Sequence, residues 1–176
     1  MRVILSVLTL VFLAGCAKEV CSVGDIRITE NDLEHRAKVS EVYYPGSGKN
    51  YIALSQLIKG YLSLQVLEAL GYRVDAAVLE EEARRIDTHT RAPDLLGKIK
   101  NIYGNDRASY LNTFVRVVYA ERVLYNEVFL KSKGLSGDYD EWFWEKASRI
   151  PVEVTDEELK RELCSTISWA GRLRVE

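Results

Sequence analysis

Residues 51–70 set the terms for the rest of the chain. Tyr51, Leu54, Leu57, Ile58, Tyr61, Leu62, Leu64, Val66, Leu67 and Leu70 place apolar side chains around most of the circumference of a helix. A helix with almost no polar face is buried between other helices, so the chain must build a multi-helix domain around it. Gly71 follows as a natural C′ residue. Asp75 is placed to N-cap a further helix over 76–86. Val78, Leu79, Ala83 and Ile86 would face inward on that helix, with Glu80, Glu81, Glu82, Arg84 and Arg85 outward. The spacing Glu80–Arg84 and Glu81–Arg85 suits ion pairs along a solvated face.

The remaining elements fall on either side. Residues 23–29 alternate apolar and polar and read as a short strand, which Gly24-Asp25 can bend near its start. Thr29, with Asp32 three residues on, opens a helix to about residue 42. Residues 43–50 hold Pro45, Gly46 and Gly48 and form a loop. Pro93 starts a short amphipathic helix carrying Leu95, Leu96, Ile99, Ile102 and Tyr103, and Gly104 stops it. Asn105 or Asp106 caps a long helix over 107–130. After a loop at 131–137 comes a helix over 138–148 bearing Trp142, Phe143 and Trp144. Residues 150–154 read as a strand whose Pro151 points to an edge. Thr155-Asp156-Glu157-Glu158 is a capping box for a last helix to about residue 164.

The predicted class is therefore mainly α, with two short terminal strands able to pair and close the helical series. Two strands alone are marginal, so they must lean on the helices. The chain has 176 residues, 24 Lys+Arg against 26 Asp+Glu, and 47% apolar residues. That composition excludes collagen-like, disordered and multi-span membrane classes. Near-balanced charge argues against a nucleic-acid partner.

The amino terminus reads as an address. Arg2 is followed by an apolar run over 3–13, too short for a stable span of about 20 residues but suited to a signal-peptide core. It ends in Leu13-Ala14-Gly15-Cys16, which resembles the lipobox of bacterial lipoprotein signal peptides at all four positions. The resemblance implies a diacylglyceryl group on the Cys16 thiol, cleavage between Gly15 and Cys16, and attachment to a membrane of the bacterial envelope, facing the periplasm. Ala17 resembles the residue that sends such proteins to the outer membrane. The other readings are an ordinary secretory signal or a short membrane anchor. Lys18-Glu19-Val20 before Cys21 makes that cysteine a poor rival. The chain then divides into a signal peptide (1–15), an anchor linker (16–22), a helical core (23–154) and a C-terminal helix with a tail (155–176).

A second resemblance covers about residues 22–132. The sequence Val23-Gly24-Asp25, then Ile28-Thr29, is followed by Gln56-Leu57-Ile58 with Tyr61-Leu62 and Leu67. Then come Leu70-Gly71-Tyr72-Arg73-Val74-Asp75 and Tyr103-Gly104-Asn105-Asp106. Together they are similar to the N-terminal core of SurA and related periplasmic foldases. The Trp-bearing helix and strand at 140–154 resemble the segment that returns to complete that core. The resemblance implies ATP-independent binding of unfolded or extended segments of exported proteins. In that family an isomerase domain is inserted at this point, and seven residues at 131–137 or 22 after Val154 cannot hold one. The expectation is a chaperone core without isomerase chemistry, without catalytic residues and without a cofactor beyond the Cys16 lipid. The alternative is an assembly or structural lipoprotein subunit that holds one partner on the same scaffold. Swapping of terminal strands or helices offers a route to a homodimer.

Few side chains suggest a site. Tyr43 and Tyr44 end a helix before a loop. Trp142 and Trp144 are two apart on one helix, so they cannot both face one core. These four are the candidate client contacts, because rigid aromatics bind extended chains at low entropic cost. His35 and His89 lack any His/Cys spacing for a metal. Gly46-Ser47-Gly48-Lys49 lacks the full phosphate-loop pattern. With Cys16 lipidated, Cys21 and Cys164 remain in an oxidising compartment, where they can form a disulfide, stay free or bridge two molecules.

Overall fold

The structure, a computed structural model, describes residues 18–133 and 137–173. The Cys16 lipidation position therefore lies outside the described residues. Among the described residues, seven helices and a small antiparallel sheet make the protein mainly α. In chain order they are β1 (Glu19–Val23), β2 (Ile26–Thr29), α1 (Glu30–Tyr43), α2 (Asn50–Ala69), α3 (Ala76–His89) and α4 (Pro93–Tyr103). The fifth helix, α5, runs over 107–133 and includes two π-helical stretches, Tyr110–Val115 and Leu124–Phe129. Then come α6 (Tyr139–Ala147), β3 (Val152–Val154), α7 (Glu157–Thr166) and a 3₁₀ turn at Ala170–Arg172.

The N-terminal strand differs from its prediction. Residues 19–29 form a hairpin bent at Gly24-Asp25, and β3 pairs with its first arm, giving the order β2-β1-β3. Cys21 lies opposite Val154 and Val23 opposite Val152. Residues 19–22, read from sequence as linker, are thus part of the central strand. The reason is burial: Val20, Cys21 and Val23 all enter the core, with Val23 fully covered. The predicted last helix is formed and packs inward. Leu159 and Leu163 of α7 are buried in the same core as α2.

Local chemistry explains most boundaries. Thr29 caps α1 in a reciprocal box, its Oγ1 accepting from the Asp32 amide at 3.2 Å and its own amide donating to Asp32 Oδ2 at 2.8 Å. Asp75 and Asp106 cap α3 and α5. At α7 the cap is Asp156, which accepts from the Glu158 and Leu159 amides. Thr155, the other candidate for that role, instead donates its amide to Val20 O at 3.0 Å and ties the chain to β1.

α2 is the axis of the molecule, as its apolar circumference requires. Leu54, Leu57, Ile58, Leu62 and Leu67 are fully buried. The sheet, α1, α5, α6 and α7 supply the rest of this core. A second core joins Val39 of α1 to α3, α4 and the first π stretch of α5, through Leu79, Ala83, Ile99, Tyr103, Tyr110 and Phe114.

Candidate functional site

The four aromatic candidates do not share a surface. Tyr43 and Tyr44 are 44% and 71% exposed at the carboxyl end of α1, beside the loop that leads into α2. Trp144 is 6% exposed and stacks on Trp169 with ring centroids 5.2 Å apart, so it is a core residue. Trp142 is half-buried. It packs on Phe129 at 5.4 Å and lies under Lys146 Nζ at 5.4 Å. α6, which carries both tryptophans, docks its end against α2 around Gln65, whereas the tyrosines neighbour the start of α2. The run from Asn50 to Gln65 is about 22 Å long.

The other singled-out residues have structural surroundings. Of the fates left open for Cys21 and Cys164, the structure has both thiols free, the first fully buried and the second exposed. Burial, helped by the charges of Glu19 and Glu153, pushes the Cys21 thiol up to about 12. The His35 ring lies 4.8 Å from Tyr103, and His89 Nδ1 sits 3.0 Å from Arg85 O. Among the described residues no group of three or more His, Cys, Asp or Glu is placed to hold a metal ion.

The acidic run on α3 corrects one expectation. Glu82 does not face solvent: it is 3% exposed and receives Arg85 at 2.6 Å and Arg122 of α5 at 3.0 Å. Arg122 also reaches Glu127 at 3.0 Å. Burial opposes the Glu82 charge, yet the hydrogen bonds from Arg85 and Arg122 outweigh it and hold the carboxyl below its ordinary range. Glu81 pairs with Arg84, and Glu80 crosses to Arg107. Glu121 of α5 is the opposite case. Burial raises its pKa against the weaker pull of Arg36 and Lys59, and no cation lies within 4 Å of it among the described residues.

Two of the concavities have apolar and charged residues side by side. One groove of about 490 Å³ lies where the chain enters the domain. Glu30, Glu34, Asp156, Glu158 and Glu162 rim it, over a floor that includes Leu33 and Leu159. Lys18 meets Glu30 at 3.1 Å and Lys38 meets Glu34 at 2.6 Å.

The other is a cleft of about 330 Å³ between the last turn of α2 and the end of α6. Gln65, Val66, Ala69 and Leu70 form one wall, and Glu145, Lys146, Arg149 and Ile150 the other. Gly71 makes the exposed end of the α2 wall possible. Its φ of +86° is costly for any residue with a Cβ and turns the chain out of the helix. The Tyr72 amide then returns to Leu67 O at 3.0 Å and the Gly71 amide to Glu68 O at 3.0 Å. Leu70 is left 43% exposed and Tyr72 37% exposed. Gln65 Nε2 donates to Val23 O at 3.4 Å and links the cleft to the sheet.

Sequence reasoning missed this cleft because Leu70 was counted with the buried face of α2. The signal was present: a residue directly before a C′ glycine sits where the helix leaves the core. Trp142 and Lys146 are also i, i+4 neighbours on α6, and Arg149 follows in the turn after it. The arrangement can bind an amphiphilic group. Comparison with family models, with characterised proteins and with solved structures finds no match.

Proposed function

We propose that this protein is a lipid-anchored holding protein of the bacterial envelope that takes up extended or unfolded segments of exported proteins without chemistry of its own. The observation that carries the reading is the cleft at the end of α2. It combines the exposed apolar side chain of Leu70 with the charged ones of Glu145, Lys146 and Arg149 in one hollow. Two sequence features support it: Leu13-Ala14-Gly15-Cys16 as the anchor, and the SurA-like helical pattern over 22–132. The test is light scattering of a reduced, unfolded client. Suppression of aggregation at stoichiometric protein is expected, and no suppression would overturn the reading. Anchoring is tested separately by mass spectrometry of the amino-terminal peptide, in which Cys16 should carry the lipid.

The small size of the cleft favours one second reading. A hollow of about 330 Å³ holds a short epitope rather than a long stretch of chain. A dedicated subunit that holds a single envelope partner would use it in the same way. A pull-down that returns one stoichiometric partner, instead of many clients, selects this version.

A further inference from the structure

We propose that the cleft between α2 and α6 selects segments in which an apolar side chain lies next to a carboxylate. The inference rests on the holding function proposed above but not on the lipid anchor.

The apolar half is set by Val66, Ala69 and Leu70 on α2 and Ile150 after α6. Leu70 is 43% exposed, so this wall keeps apolar area available for a ligand to cover. The charged half is set by Lys146, in the last turn of α6, and Arg149, in the turn that follows, both of which line the cleft. Among the described residues neither has a carboxylate within 4 Å. Glu145 also lines the cleft and makes no ion pair there, so the three charges sum to a single positive one.

These cations are not engaged in capping α2. The carbonyls of Val66, Leu67 and Glu68 already accept from the amides of Leu70, Gly71 and Tyr72. Lys146 is steadied by the Trp142 ring beneath its ammonium group at 5.4 Å. The outcome is a pair of uncommitted donors at the rim of an apolar hollow. A guanidinium beside an ammonium suits a carboxylate, which accepts two N–H bonds from the arginine fork. A lysine or arginine in the ligand would meet like charge at the same place. A carboxylate without an apolar neighbour would leave the hollow unfilled.

Fluorescence anisotropy with the purified full chain tests this. Three dye-labelled decapeptides serve as probes: one with a leucine flanked by two aspartates, one with lysines for the aspartates, and one with serine for the leucine. The first should bind at least ten-fold more tightly than either of the others. The double variant K146E/R149E should weaken it ten-fold or more, whereas Lys98→Glu, an exposed charge reversal on α4, should leave it unchanged. Leu70→Ser, at an exposed position, gives a second probe of the site should the double variant fail to fold, and should also weaken binding. Equal binding of the lysine probe, undiminished binding by a folded K146E/R149E or L70S variant, or no saturable binding at all would overturn the proposal.

Client aggregation measured in parallel separates the two readings. Equal suppression by wild type and by the folded double variant removes the cleft and keeps the holding function. Probe binding at the cleft without any suppression by wild type keeps the cleft and removes the holding function.

Discussion

Gly60 marks the closest approach of α2 and α5. A Cβ placed there would stand 2.5 Å from Val117 Cγ1, and neither helix can step back without opening the core around it. Gly60→Ala should therefore destabilise the protein by about 1–3 kcal/mol, the usual cost of overpacking, despite alanine's better helix propensity. A lowered midpoint in urea unfolding checks this. The two cysteines make a second contrast. Cys21 is buried with its pKa pushed up to about 12, whereas Cys164 is exposed on α7. A thiolate-specific reagent at pH 8 should label Cys164 within minutes and reach Cys21 only on denaturation, as peptide mapping would show. Labelling of both at equal rates would mean that β1 opens readily.

Between elements, charge does part of the joining. Glu82 connects α3 to α5 through Arg122, and Glu82→Gln should cost about 2–3 kcal/mol, since it leaves Arg85 without a carboxylate and Arg122 with Glu127 alone. Its folded pKa lies below the unfolded one, so its contribution is complete above the unfolded pKa and is lost as pH falls through the folded value. Glu121 has the reverse sign. Its folded pKa is raised, so its charge costs stability at neutral pH, and the cost fades as pH falls through that raised value. Glu121→Gln should raise the unfolding midpoint at pH 7 and lose this advantage in acid, whereas Glu82→Gln should lower it at pH 7 and differ less from wild type in acid. Thermal unfolding monitored by circular dichroism across pH 3–8 separates the two.

The same elements show what could be read beforehand. The α1 capping box, the buried α2, the Asp75 cap and the Pro93 start follow from local chemistry and were legible. The inward turn of Glu82 was not, because its partner Arg122 is 40 residues away. Nor was the hairpin, since Gly24-Asp25 serves equally as a kink near a strand start or as a turn between two strands. Only the pairing of Cys21 with Ile28 and of Val23 with Ile26 across the turn decides between them. The cleft depends on α6 meeting the end of α2, a tertiary event with only a faint local trace.

At the scale of the molecule, the sheet ties residues 19–29 to residues 152–154, which are far apart in sequence. β1 sits between β2 and β3, and Thr155 donates its hydroxyl to Glu19 O at 3.1 Å. Removing β3 and α7 by ending the chain at residue 148 should strip cover from Val20, Val23 and α2 together. The shortened protein should lose its single cooperative unfolding transition rather than merely shift it, as calorimetry would show.

The central position of β1 also fixes a clearance. The strand begins at Glu19, so a lipid on Cys16 would leave only Ala17 and Lys18 as slack, about 10 Å at full stretch. Such a protein would be moored at the bilayer and unable to roam above it. The end facing the headgroups would be the acidic one, where Lys18 meets Glu30 and Asp156 starts α7. The mouth between α2 and α6 is linked to the other end of the same strand, where Gln65 Nε2 donates to Val23 O, so the short tether and the cleft would sit at opposite ends of β1.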